Sequence, residues 1–236
     1  MEIVQEIFGW AGAGIAVLSF LFPAFPYINV LRGKLDFEST PAVLVTTCYV
    51  NYFCWFVYGY LTFSNQIKYC YLIGSIINIV LMAIYLIFEF RKYLVDSILN
   101  ILILIAGTWA IFKVLRFLIY DYRIVGKICM GTSFIVFFSQ IQIIYKVIKE
   151  KNYILVPIYN CYLIFLYAIC WVVYGIFIND FYVVFTNAIA IVLALVEIIV
   201  YLNYKRKYTT IGEREIAPTI GIETSTIETS TIEEAS

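Results

Sequence analysis

The chain has 236 residues; 63% are hydrophobic and only 14% are Asp, Glu, Lys or Arg, against about 25% in an average soluble domain. Sixteen basic residues balance sixteen acidic ones, and histidine is absent. These figures exclude a soluble globular enzyme, a chain disordered throughout, and a nucleic-acid binder, which would show a basic patch.

The charges are unevenly spread: residues 7–31, 39–67, 69–88 and 152–179 contain none. Apolar, uncharged runs of about 18 residues or more read as membrane-spanning helices. In chain order, spans are expected at about 8–30, 41–61, 68–88, 97–118, 124–146, 153–177 and 181–203. Glu2 and Glu6 stand where a cleavable signal peptide would be basic, so the first span is expected to stay. The fourth is the weakest, because Lys113 and Arg116 interrupt its end; both can snorkel to the interface. From Tyr208 the composition changes to Thr, Ser and Glu, with the near-repeat Ile222–Thr226 and Ile227–Thr231. Such a segment buries too little apolar area to offset its ordering entropy, so 208–236 is expected to be a disordered, acidic, solvated tail.

Lys and Arg set the orientation. The first, third and fifth loops and the tail hold eleven of them; the opposite segments hold Lys68, Lys113, Arg116, Arg123 and Lys127. The richer side is expected to be cytoplasmic, with the N-terminus outside and the C-terminus inside. The six cysteines lie mostly in apolar runs with no CxxC pair, and read as buried hydrophobes. No metal site, cofactor or catalytic constellation is expected.

Cys54-Trp55-Phe56-Val57-Tyr58-Gly59 recurs as Cys170-Trp171-Val172-Val173-Tyr174-Gly175, 116 residues on, and the same offset pairs Pro41 with Pro157. Residues 41–59 and 157–175 share six identities in nineteen, which marks an internal repeat. Three spans precede the fourth and three follow it, so the intervening helix keeps both copies in one orientation. The expected fold is an all-α membrane protein of seven transmembrane helices, two parallel three-helix repeats joined by a linker helix (3+1+3). Its parts are 1–93, the linker 94–121, 122–207 and the tail 208–236. Parallel repeats related by an axis along the membrane normal recur among transporters. Trp55 lies fourteen residues into its span, roughly 20 Å deep, too far for interfacial decoration. The repeated Trp pair is expected to face a shared central space, and Gly59 and Gly175 allow close helix approach.

With the 3+1+3 plan, the Pro-to-WxxYG spacing in both halves, and Asn-Asp-Phe-Tyr followed by an Asn in the last helix, residues 8–205 resemble the SWEET family of sugar facilitators. The resemblance implies a central pocket flanked by Trp55 and Trp171, with an Asn from the third helix of each repeat. Asn187 takes that place in the second repeat. In the first, counting back from Tyr85 puts Ser75 at the position, with Asn78 one turn on; Asn51 is a further candidate contact. An aromatic face suits the CH-rich side of a pyranose, and a carboxamide both donates to and accepts from hydroxyls. Trp55 stands where some relatives have a smaller residue, which favours a monosaccharide. The resemblance also implies hinges at Pro23, Pro41 and Pro157, with Gln140 in place of the fourth proline. It implies a gate region at Tyr58, Gly59, Tyr174, Gly175 and Asp180. Glu197, the remaining intramembrane charge, reads as structural.

The function implied is bidirectional, facilitative uniport of a neutral sugar by alternating access in a lipid bilayer, and not that of an enzyme. The plasma membrane is the default residence, and a homo-oligomer is left open. No histidine, and no carboxylate near the Trp pair, offers proton coupling. A proton-coupled amino-acid exporter of the PQ-loop class would want Pro-Gln pairs and a titratable Asp in its helices. A seven-helix receptor is disfavoured by the repeat, and a retinal protein by the lack of Lys in 181–203.

Overall fold

In a computed structural model of the chain, the described residues are 2–25, 28, 42–89, 98, 102, 109, 113 and 121–233; side chains are described within 45–84 of the second stretch and up to 207 of the last. They form six α-helices, here α1 (Glu2–Phe20), α2 (Ala42–Leu61), α3 (Asn65–Glu89), α4 (Tyr122–Glu150), α5 (Ile158–Phe177) and α6 (Phe181–Glu233), plus a 3-10 turn at Tyr153–Leu155. The fourth expected span, 97–118, lies outside the described residues except for helical positions 98, 102, 109 and 113. Pro41 also lies outside them. Among the described residues, five helices are long and apolar enough to cross a membrane by length and composition.

Several boundaries differ from the expected ones. The first helix begins at Glu2 rather than near residue 8, since carboxylates in a first helical turn are favoured by the helix dipole. It ends at Phe20, and Leu21–Pro23 form a turn closed by Phe22 N–H to Ser19 O at 3.0 Å. Proline lacks the N–H that would continue the helix. Where the other repeat has Gln140, α4 runs unbroken from Tyr122 to Glu150. Pro157 is the N-cap of α5, separating it from the 3-10 turn. The backbone of α6 continues to Glu233, across the stretch that composition reads as a disordered tail. A formed helix extends without a new nucleation cost.

The helices close into a ring. α1 packs on α3, α3 on α2, α2 on α4, α4 on α6, α6 on α5, and α5 back on α1. Exchanging α1, α2, α3 for α4, α5, α6 maps this ring onto itself, so it has two-fold pseudo-symmetry. Two seams join the repeats, α1–α5 and α2–α4. Lipid gives helices no hydrophobic drive to associate, so seams depend on close packing and interhelical hydrogen bonds. Ser19 Oγ donates to Asn160 Oδ1 at 2.7 Å across the first seam. Across the second, Thr132 Oγ1 and Ser133 Oγ donate to Asn51 Oδ1 at 2.8 and 3.0 Å.

The 116-residue offset holds well beyond the motif that revealed it. Buried Ile67, Cys70, Gly74, Asn78, Leu81 and Met82 of α3 correspond in turn to buried Val183, Thr186, Ala190, Ala194, Glu197 and Ile198 of α6. The turns between helices correspond too. Ser64 N–H reaches Gly59 O at 3.0 Å, and Asp180 N–H reaches Gly175 O at 2.8 Å. Phe63 and Asn179 take the same left-handed conformation, with φ of 54° and 53°. The next residue caps the following helix. Ser64 Oγ accepts from Ile67 N–H, and Asp180 Oδ1 accepts from Tyr182 and Val183 N–H.

Candidate functional site

The two repeated tryptophans meet in the ring through a third aromatic. Trp55 on α2 and Trp171 on α5 are both buried, and each stacks on Tyr71 of α3. The centroid distances are 5.7 and 6.4 Å and the interplanar angles 20° and 24°. Since α3 and α5 are not neighbours in the ring, the Tyr71–Trp171 stack crosses its centre. Phe20 and Tyr52 also lie against Tyr71, each with centroids 5.9 Å away.

The indoles differ in their polar edges. Trp55 Nε1 donates to Ser133 Oγ at 3.1 Å, tying it to α4. Trp171 Nε1 is buried with no hydrogen-bond partner among the described residues. A buried donor left unpaired costs free energy, so this N–H is free to bond an acceptor that reaches it. Gly12 of α1 makes room for the ring; a Cβ there would meet Trp171 Cδ2 at 3.5 Å and Cys170 Cβ at 3.1 Å.

Asn187 is buried on α6, and its Nδ2 donates to Val183 O, one turn back, at 2.9 Å. The offset makes its counterpart Tyr71, not Ser75 or Asn78. Ser75 Oγ donates to Tyr71 O at 2.8 Å, and Asn78 Nδ2 donates to Gly74 O at 2.9 Å. Asn78 Oδ1 is buried without a partner among the described residues. Asn51, a candidate contact by sequence, has its carbonyl engaged in the α2–α4 seam. Tyr71 was not singled out by sequence; extending the offset twelve residues past Gly59 would have found it.

A pair of equivalent latches joins the repeats at the α2–α3 and α5–α6 turns. Tyr58 of the first repeat donates its hydroxyl to Asp180 Oδ2 of the second at 2.7 Å. Tyr174, the counterpart of Tyr58, bonds Ser64, the counterpart of Asp180, at 2.8 Å. It also donates to Gln66 Oε1 at 3.1 Å, and Gln66 Nε2 donates to Glu6 Oε2 at 2.8 Å. Asp180 therefore caps α6 with one oxygen and latches Tyr58 with the other. A cleft of about 690 Å³ lies at this end, lined by Glu6, Trp10, Gln66, Arg123 and Asn179 among others. Hydrogen bonds to a charged group contribute about 1.5–3 kcal/mol. Tyr58→Phe removes one hydroxyl and should raise the open-to-closed ratio at this end roughly tenfold or more. Spin labels at positions 63 and 179 should then report a longer, broader distance distribution than in the wild type; an unchanged distribution would argue against the latch.

Glu197 lies ten residues beyond Asn187, about 15 Å along α6. It is 2% exposed and accepts from the Cys161 thiol at 3.2 Å. Its counterpart is Leu81, and that of Cys161 is Val45, both buried apolar residues. The carboxyl thus belongs to the packing between α5 and α6, away from the aromatic stack. All six cysteines are free.

A family model described as "Sugar efflux transporter for intercellular exchange" matches residues 123–209, from α4 into α6. Among curated relatives, the bidirectional sugar transporter SWEET11 of Oryza sativa subsp. japonica is 26% identical over 209 residues, covering 86% of this chain and 67% of that one. The protein of the same description from Arabidopsis thaliana is 26% identical over 224 residues, covering 89% and 75%. A solved structure of a eukaryotic SWEET transporter superposes with a TM-score of 0.77 at 19% identity, covering 86% of this chain and 98% of the other. The seven-helix 3+1+3 fold is thereby matched across nearly all of that structure.

Proposed function

We propose that the chain is a member of the SWEET family of sugar transporters, and that it moves a neutral monosaccharide such as glucose by facilitative, bidirectional alternating access. The observation that carries this reading is the Trp55–Tyr71–Trp171 stack spanning the ring between two equivalent repeats. Trp55 and Trp171 supply apolar faces for a pyranose. The unpaired Trp171 N–H and the Asn187 carboxamide supply uncharged hydrogen-bonding partners. An uncharged pocket of this kind selects a polyhydroxy solute over an ion.

Alternating access rocks residues 1–93 against residues 122–207, with 94–121 as the linker. The turn end that carries both latches is extracellular, following the Lys and Arg bias; the N-terminus lies outside and residues 208–236 on the cytoplasmic side of a plasma membrane. Opening outward breaks Tyr58–Asp180 and Tyr174–Ser64 together. Pro23, Pro41 and Pro157 are the bending points, and Gln140 leaves α4 the stiffest of the four corresponding helices. Among the described residues, Glu197 and Asp180 both lie outside the aromatic stack, which supports transport without proton coupling.

Uptake by proteoliposomes of labelled glucose, galactose, fructose and sucrose tests the substrate class. Hexose flux well above that of empty liposomes, with little sucrose flux, is expected. Sucrose uptake as fast as that of glucose would overturn the monosaccharide assignment.

A further inference from the structure

We propose that Tyr71 is an intramolecular occupant of the sugar site, which the sugar must displace, and that its ring sets the affinity and size limit of the transporter. This rests on the sugar-transport reading. Three observations carry it. The 116-residue register makes Tyr71 the counterpart of Asn187, so one side of the pseudo-symmetric site presents a carboxamide and the other a phenol ring. The ring stacks on both Trp55 and Trp171, the faces that would hold a pyranose. The second contact joins α3 to α5, which are not adjacent in the ring order, and so places the ring toward the central space rather than in one of the two seams.

A phenol ring and a pyranose are both six-membered discs of similar width. With Tyr71 between the indoles, the two faces cannot hold a sugar. Binding therefore begins from the fraction of molecules in which the ring has moved aside, and apparent affinity falls by that fraction. Of the four aromatic rings against Tyr71, the two indoles are the contacts that a sugar must replace. Their combined effect is taken as about tenfold, equivalent to about 1.4 kcal/mol. The same bulk leaves too little length between the repeats for a second sugar ring.

The test compares Y71A, Y71N and Y71W with the wild type in proteoliposomes, using labelled glucose and sucrose. Glucose KM should fall by about tenfold in Y71N, which restores a carboxamide on both sides, and by several fold in Y71A. Sucrose flux relative to glucose should rise roughly fivefold in both. Y71W, with a larger ring, should lower glucose flux below wild type. Glucose quenching of tryptophan fluorescence in the purified protein gives the affinity independently of flux, and should follow the same order. Unchanged or raised glucose KM in Y71A and Y71N, with sucrose still excluded, would overturn the proposal while leaving the transport reading intact. If Y71A and Y71N fail to fold, a Y71W flux equal to or above wild type overturns it alone. Absence of glucose flux and quenching in the wild type would remove the transport reading and this inference with it.

Discussion

Trp171→Ala should reduce hexose flux in proteoliposomes to below about a tenth of wild type, because the indole supplies both a stacking face and an unpaired donor. The side chain is 1% exposed, so its truncation also leaves a cavity beside Gly12 and Cys170. Trp171→Phe separates the two effects. It keeps an aromatic face and removes the N–H, and should give an intermediate loss, mainly in KM. Both variants should still elute as folded protein on size-exclusion chromatography. Wild-type flux in folded Trp171→Ala would remove Trp171 from the site.

Gly59→Ala should be among the most destabilising single-methyl additions in the chain. A Cβ at Gly59 would meet Lys68 N at 2.5 Å and Lys68 Cα at 2.9 Å. Those are backbone atoms of α3, which cannot swing aside as a side chain can, so α2 and α3 must separate. Overpacking of this kind costs about 1–3 kcal/mol, and backbone contact places this case at the upper end. The melting temperature should drop by roughly 6–12 °C. Gly14→Ala is the control, since nothing lies within 4 Å of its added Cβ, and it should melt within a degree or two of wild type. Gly175→Ala should be milder than Gly59→Ala, because its two closest contacts are the side chains of Val184 and Val183. Equal melting of Gly59→Ala and Gly14→Ala would contradict the close-packed turn.

Much of this architecture was legible in the sequence, because lipid constrains composition so strongly. A run such as 152–179, without a charge, has few other fates, and the repeated CWxVYG fixed the relation between the halves. The same arithmetic reached further than the motif. It pairs Phe63 with Asn179 and Ser64 with Asp180, which the structure builds into equivalent turns and latches. Helix ends were less legible. Glu2 and Glu6 broke the uncharged run and so looked external, yet Glu2 falls in the first helical turn and Glu6 accepts hydrogen bonds from Trp10 and Gln66.

Ring order was not legible at all, since nothing in a linear pattern says that α1 packs on α5 and α2 on α4. For that reason Asn51 read as a pocket residue, although its carbonyl fastens the α2–α4 seam. The amide position in α3 shows the limit of counting by analogy. Spacing taken from relatives led to Ser75, whereas the chain's own repeat leads to Tyr71, four residues earlier. One helical turn keeps the face but moves the side chain about 6 Å along the axis. The resemblance put Asp180 in a gate region, but its pairing with Tyr58, 122 residues away, was not legible in the sequence.

The most direct test of facilitative sugar transport is a time course of labelled glucose in proteoliposomes, run with and without an imposed pH gradient. The account predicts that glucose equilibrates to equal concentrations on both sides, with the same initial rate and end point in either condition. Accumulation above the external concentration when the gradient is applied, or no glucose flux beyond that of protein-free liposomes, would contradict it.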